Sequence, residues 1–272
     1  MIDYFKYLVQ MTRDIFQNLR RIYSLAKFEY KLTNKGMALG QLWLVLNPLI
    51  QIGVYWFVFG VGIRNGNPVG EYPYVVWLTC GVAPWLICSR GISLPASSIY
   101  SKASMLTRSN IPTCLIPLSV SLSTVMDSRW TVAIMIVIYL GNGCMPTWNM
   151  LCLIYYMFCI LAFTASLSLI TSVLGMLARD FLNLIQAALR MIFFISPIFW
   201  DPGTSTNEVV RQMAVYNPFG YIIDGFRDAM LYRVPFWEDM RGMRIFWSTV
   251  LVLYLLGAAF QRKLRKNLLD FI

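Results

Sequence analysis

Histidine is absent from all 272 residues, which removes at once the commonest proton shuttle and the commonest metal ligand. Charge is scarce as well. Asp, Glu, Lys and Arg make up 13% of the chain, about half the share of an ordinary soluble domain. The six cysteines (Cys80, Cys88, Cys114, Cys144, Cys152, Cys159) form no C-x-x-C pair and fall mostly within apolar runs. They read as small buried hydrophobes rather than as a disulfide framework or a metal site. There is no G-x-x-x-x-G-K-[ST] loop to cradle a nucleotide phosphate, and no H-E-x-x-H or G-x-S-x-G set that a histidine-free chain could complete. No catalytic residue, metal ligand or cofactor is therefore assigned to this chain. Internal repeats of the kind that mark many secondary transporters are missing too, as is any low-complexity linker.

What the chain has is apolar length. Hydrophobic residues make up 58% of it, in six segments at about 42–63, 73–89, within 111–141, 150–178, 181–200 and 245–260. Each can cover a hydrocarbon core of roughly 30 Å at about 1.5 Å per residue, the last two with little to spare. The expected fold is an all-α integral membrane protein of six transmembrane helices. An N-terminal interface segment, 1–41, precedes a membrane domain spanning 42–272.

Six spans put both termini on one side. With the termini inside, the inner segments 1–41, 90–112, 178–181 and 262–272 carry seven, three, one and four Lys/Arg, fifteen in all. The outer segments 64–72, 142–149 and 201–244 carry six. The positive-inside rule thus places both termini in the cytoplasm of a multi-pass plasma-membrane protein. The net charge of +10 belongs to that cytoplasmic excess, which suits anionic lipid and a cytosolic partner better than nucleic acid. Within 1–41, Phe5, Leu8, Ile15, Phe16, Leu19, Ile22, Tyr23 and Ala26 follow helical spacing among Lys and Arg. This is the pattern of a helix lying in the membrane interface or packed on protein.

The outer segment 201–244 holds six acids against five arginines. Inside it, "NPFGYIIDGFRDAML" opens with Asn217 as N-cap and Pro218 as first helical residue. Phe219, Ile222, Ile223, Phe226 and Met230 make one apolar face. Asp224, Arg227 and Asp228 stand on the other, Asp224 and Arg227 close enough to pair at i, i+3. Ser196-Pro197 ends the fifth span, and a second short helical stretch precedes Asn217. Two short helices ringed by Phe199, Trp200, Tyr216, Phe219 and Tyr221 suit a re-entrant extracellular gate, which requires protein or a wet cavity to satisfy the helix ends. A solvated extracellular cap is the alternative.

Two further features stand out. "SSIYSKASMLTRSNIPT", between the second and third spans, joins a short helical piece, cations and a stop at Pro112. It is either a connector or a docking helix for a cytosolic partner. Asp127 and Arg129 lie within the third span, because the apolar run after Arg129 is too short to cross by itself. Two residues apart, they do not face each other. Arg190, in the fifth span, either pairs with Asp127 or meets a phosphate passing through.

The stretches "LWLVLNPLIQIGVYWFVFG", "RDFLNLIQ", "SPIFW" and "NPFGYIIDGFRDAML", in that order, resemble the type-2 ABC exporter permeases, which move polysaccharides and lipid-linked glycans. The likeness runs from about residue 3 to 272. "VYWFVFGVGIRNGNPVGEYPYVVWL", "SSIYSKASML" and "KNLLDFI" are similar to the teichoic acid translocation permeases of Gram-positive bacteria, while O-antigen and capsule permeases share much of the pattern. The resemblance implies a homodimer joined by two copies of a cytosolic ABC ATPase, which binds ATP and Mg. The implied substrate is a polyprenyl-diphosphate-linked polymer, wall teichoic acid in the narrower likeness. It also implies an amphipathic helix at 3–27 and a coupling helix of Ser98, Ile99, Tyr100, Ser101, Lys102, Ala103, Ser104, Met105 and Leu106. Re-entrant helices fall at 206–231, and a conduit along the first and fifth spans would draw on Trp43, Tyr55, Trp56, Phe59, Phe193, Phe194 and Phe199. Two other classes compete: an ATP-independent channel or secondary transporter, for which only Asp127 offers a midplane acid, and a membrane enzyme acting on lipid carriers.

Overall fold

The computed structural model describes residues 2–32, 39–103, 111–204 and 207–267. Among them every regular element is helical. We number the helices α1 (Ile2–Gln17), α2 (Leu19–Leu32), α3 (Trp43–Tyr55), α4 (Tyr74–Ala96), α5 (Ser98–Ser101), α6 (Leu115–Asp127), α7 (Arg129–Gly141), α8 (Cys152–Leu177), α9 (Asp180–Ile195), α10 (Glu208–Tyr216), α11 (Pro218–Arg227) and α12 (Met240–Asn267). Among the described residues, five helical stretches are long and apolar enough to cross a membrane: Gly40–Ile63, Tyr74–Ala96, Leu115–Gly141, Trp148–Leu177 and Met240–Leu264.

The segment expected as the fifth span differs. Its helix, α9, has 16 residues, or about 24 Å at 1.5 Å per residue, short of a roughly 30 Å core. Ser196 leaves helical geometry at ψ 149 because Pro197 disfavours the α region for the residue before it. Two other boundaries moved. The amphipathic N-terminal segment is two helices broken at Asn18, whose Nδ2 donates to the Asp14 carbonyl at 2.7 Å. The second span extends beyond Ser89 to Ala96, carrying Arg90 into the helix.

α4 is the centre of the bundle, buried along most of its length. It contacts α8, α6, α11, α7, α9 and α3. In an apolar solvent no hydrophobic force drives helices together, so small residues and hydroxyls allow the close approach. A Cβ on Gly175 of α8 would come within 2.2 Å of the Ala96 carbonyl oxygen, and one on Gly91 within 2.8 Å of Thr164. Several Ser and Thr satisfy their hydroxyls on their own helix. Thr79 donates to Val75 O at 2.6 Å, Ser93 to Ser89 O at 2.7 Å and Thr164 to Ile160 O at 2.7 Å, as lipid surroundings demand. Between α12 and α8, Gln261 Nε2 donates to the Leu169 carbonyl at 3.0 Å.

α2 lies against α6 and α1 against α12. Tyr4 Oη donates to Leu255 O at 2.5 Å, and the hydroxyls of Thr12 and Tyr254 are 2.9 Å apart. Met11, Ile22 and Ala26 are buried there, while Phe5, Phe16, Leu19, Tyr23 and Phe28 stay exposed. The N-terminal helices thus pack on this chain's own bundle and keep an apolar strip outward.

Candidate functional site: an aromatic seam, a buried arginine latch and a docked short helix

Of the aromatics implied for a conduit, five come together. The rings of Tyr55 and Phe193 lie 5.3 Å apart, Tyr55 and Phe199 5.3 Å, and Phe59 stacks on Phe199 at 4.1 Å. Phe193 meets Phe194 and Phe199 edge-on at 5.1 Å each. Offset and T-shaped contacts at these distances are favourable beyond their buried area. Trp85 of α4 joins at 5.3 Å from Phe193 and continues to Phe219 at 5.2 Å. Sequence reasoning missed Trp85, because nothing in its own segment says which neighbour it faces. Trp43 and Trp56 make none of these ring contacts. Trp43 lies about eighteen ångströms along α3 from Tyr55 at 1.5 Å per residue, and Trp56 is 42% exposed.

α11 forms as its residues dictate. Asn217 Oδ1 accepts from the Phe219 amide at 3.0 Å, and Pro218 takes the first turn. The same Asn217 side chain donates through Nδ2 to Ser196 Oγ at 2.9 Å, so the cap also holds the end of α9. Phe219, Ile222, Ile223, Phe226 and Met230 are all buried. Tyr221 is buried as well, with its hydroxyl 3.2 Å from that of Tyr155. Tyr216 is exposed and Trp200 half-buried.

Arg227 departs from the expected polar, outward face. Its side chain is 3% exposed. Nη1 donates to the Pro197 carbonyl at 2.6 Å, Nη2 to the Ile198 carbonyl at 2.9 Å, and Nη1 again to Asp224 Oδ1 at 3.3 Å. The guanidinium lies over the Trp77 ring, 3.6 Å from its centroid. Gly81 makes the room: a Cβ there would fall 2.7 Å from Nη2. One side chain thus caps the carbonyls released by the Ser196-Pro197 break and joins α11, α4 and the end of α9.

Beside this latch a cavity of about 210 Å³ is lined by Asp224, Asp228, Asp239, Arg241, Tyr156 and Tyr221 among others. Burial raises Asp224 to about 6, opposed by Arg227, and burial reinforced by Asp224 and Asp239 raises Asp228 to about 7. Protein surrounds Asp224, yet 42% of its side chain opens to the cavity, so solvent there moderates its shift.

At the opposite end of α4, the implied coupling helix is described from Ser98 to Ala103, of which Ser98–Ser101 form α5. Ser104, Met105 and Leu106 lie outside the described residues, as does Thr206 at the start of the expected gate. Ile99 is buried in a cluster with Ile116, Val173 and Leu264, and Ser98 is buried. Lys102 pairs with Glu29 of α2 at 2.6 Å. Tyr100 lies under Arg179, whose guanidinium is 4.6 Å from the ring centroid; Arg179 is the N-cap of α9. Ser101 is exposed and Ala103 half-buried.

The intramembrane charges find unexpected partners. Asp127, buried, is bridged at 3.3 Å by Arg90 rather than by Arg190. Arg90 had been read as a loop residue, and the extension of α4 brings it into reach. Arg129 is hydrogen-bonded to Tyr30 of α2 and lies over the Tyr30 and Trp130 rings. Arg190 is exposed.

The family model described as "ABC-2 type transporter" matches residues 20–231. Similar proteins include the O-antigen export system permease protein RfbA of Myxococcus xanthus, 26% identical over 94% of this chain and 97% of that protein. Two O-antigen export system permease proteins RfbA of Klebsiella pneumoniae are each 23% identical over 90% of this chain and 92% of their own length.

Proposed function

Because the chain belongs to the ABC-2 type transporter family, we propose that it is the membrane-spanning permease subunit of an ATP-driven exporter of a lipid-linked polysaccharide. Its nature as a multi-pass membrane protein follows from the family and from the five long apolar helices. The end-to-end match to permeases named for O-antigen export carries the reading. Those names favour an O-antigen-class polymer over wall teichoic acid, to which short stretches of the chain are also similar. The chain performs no covalent step. A cytosolic ABC ATPase, two copies on a homodimer of this chain, binds ATP and Mg.

The geometry supports a route for the motion. A push on α5 bears on α2 through the Lys102–Glu29 pair and on the start of α9 through Arg179 and Tyr100. α9 carries half of the aromatic seam to the far end, where Asn217 and Arg227 hold its terminus against α11. Displacing α9 therefore changes the packing of Tyr55, Phe59 and Trp85 against Phe193 and Phe199. Flat rings with apolar faces suit sugar rings. The span Gly40–Ile63 and α9 expose Leu49, Ile50, Phe57, Leu184 and Met191, apolar surface fit for lipid or a second copy. In this reading both termini are cytoplasmic in a bacterial plasma membrane. The backbone after Ser196 completes the fifth of six crossings, and α10 and α11 form the outer gate.

The test is purification of the full chain from detergent-solubilised host membranes. A co-purifying nucleotide-binding ATPase, lost when 102–106 is replaced by Gly/Ser, together with lipid-linked polymer accumulating inside depleted cells, is the expected result. A chain that exports without any ATPase belongs to the channel class and overturns the proposal.

A further inference from the structure

In the middle of α9, Arg190 has no hydrogen bond or ion pair to any described residue. It lines a cavity of about 200 Å³ together with Arg90, Gln186, Tyr55, Trp85 and Phe193. The cavity does not arise by chance of one side chain. Asn183, Gln186 and Arg190 recur at three- and four-residue spacing, so they form one polar stripe on a helix otherwise rich in Leu, Ile, Phe and Met. Leu189 and Phe193, beside that stripe, are the buried residues of α9.

Arg90 enters the same space from α4. It spends a single Nη2–H on Asp127, and a guanidinium has five donors in a fixed fork. Its side chain remains 38% exposed. Asp127 neutralises one of the two cations, is itself buried and does not line the cavity. Among the described residues the cavity is therefore lined by two guanidinia and no carboxylate, one guanidinium being paired outside it. An unpaired arginine in an apolar helix costs about 2.5–3.5 kcal/mol at mid-depth, and such residues face cavities where a partner reaches them. A group that answers two guanidinia is an anion.

Its chemistry follows from the donors. Two planar forks on facing helices match oxygens on two adjacent phosphoryl groups, each of which takes a bidentate pair. A cavity of about 200 Å³ accommodates a diphosphate group. Three aromatic rings form the wall that leads directly into the seam of Tyr55, Phe193 and Phe199. We infer that Arg90, Arg190 and Gln186 form an anion subsite that takes the diphosphate of the lipid-linked substrate and so sets the glycan against the aromatic seam. This assignment rests on the exporter reading above, and its test does not need the ATPase.

The full chain in phosphatidylcholine nanodiscs is titrated with radiolabelled farnesyl diphosphate, with inorganic pyrophosphate, farnesol and phosphatidylglycerol as competitors. Losing a charge-assisted hydrogen-bond donor should weaken binding at least about tenfold in Arg190→Gln, with partial recovery in Arg190→Lys. Because Arg190 has no protein partner to lose, this variant should melt no lower than the parent. Arg90→Lys keeps a cation for Asp127 and should weaken binding less, and Arg244→Gln on α12 should bind normally. Pyrophosphate should compete, and farnesol should not. Unchanged binding in Arg190→Gln overturns the subsite. Displacement by phosphatidylglycerol also overturns it, in favour of a general phospholipid headgroup. A subsite that fails while the ATPase still co-purifies leaves the exporter reading standing. An intact subsite without any ATPase removes that reading alone.

Discussion

Replacing Arg227 by Met isolates what its guanidinium does, since the two side chains are similar in length and differ in donors. The substitution strips the donors from the Pro197 and Ile198 carbonyls, which are buried, at about 1–3 kcal/mol for each acceptor left unsatisfied. It also removes the stacking of a cation on Trp77, about 2 kcal/mol for a desolvated pair. Relief from holding a charge out of water, several kcal/mol, offsets much of this. Asp224 adds little, because its carboxylate opens to the cavity. The net loss is about 2–4 kcal/mol, localised at the junction of α9 and α11. Arg227→Lys retains the charge without the fork and should lose about half as much.

The assay is the maleimide labelling rate of Cys at position 198, in a chain whose six native cysteines are replaced. Where opening is fast and reversible, the rate scales with the opening equilibrium, so it should rise at least about thirtyfold. Gly81→Ala, which pushes a Cβ against Nη2, should open the same junction, and most of its cost should vanish in the Arg227→Met background. An unchanged labelling rate in Arg227→Met, or strict additivity of the two substitutions, would refute the latch.

Three other outcomes are expected. Gly225→Ala places a Cβ 2.0 Å from the Tyr156 ring and should destabilise the chain by about 1–3 kcal/mol through overpacking, read as a lower melting temperature in detergent. Asp228 and Asp224 have folded-state pKa values raised to about 7 and about 6 from 3.8, so the fold holds protons that the unfolded chain releases. Their contribution is full below about pH 4 and is lost as pH rises through 6–7. Melting should therefore be higher at pH 5 than at pH 8, with the difference reduced in Asp228→Asn. Glu29→Lys should place like charges at the Lys102 contact and lower export more than fold stability, whereas Glu29→Lys with Lys102→Glu should restore it. Export in cells and melting of the purified chain separate the two effects.

Much of this was legible in the residues because its causes are local. The apolar runs demanded long helices, and the Asn217-Pro218 pair specified the start of α11. The buried face of α11 and the i, i+3 pairing of Asp224 with Arg227 followed from spacing alone. Errors arose where a boundary or a facing partner decided the outcome. The second span was ended at Ser89, where hydropathy falls, although backbone hydrogen bonding carries α4 to Ala96. That difference of two turns hid Arg90 from Asp127 and promoted Arg190 as its partner. Arg227 looked solvent-facing because a one-helix pattern counts polarity and cannot see carbonyls freed by a proline thirty residues earlier in the chain.

By itself, then, the sequence determined that the chain must be helical and lipid-embedded. It also determined that the chain lacks the groups for histidine-based catalysis and for nucleotide binding by a phosphate loop, since composition and period suffice for both. Tertiary structure alone decided which charges neutralise one another, which aromatics meet across α3, α4 and α9, and which arginine lines a cavity without a protein partner. Those choices depend on contacts between residues far apart in the chain, as Arg90 with Asp127 and Arg227 with Pro197 show, and no local pattern encodes the direction in which a neighbouring helix will present its side chains.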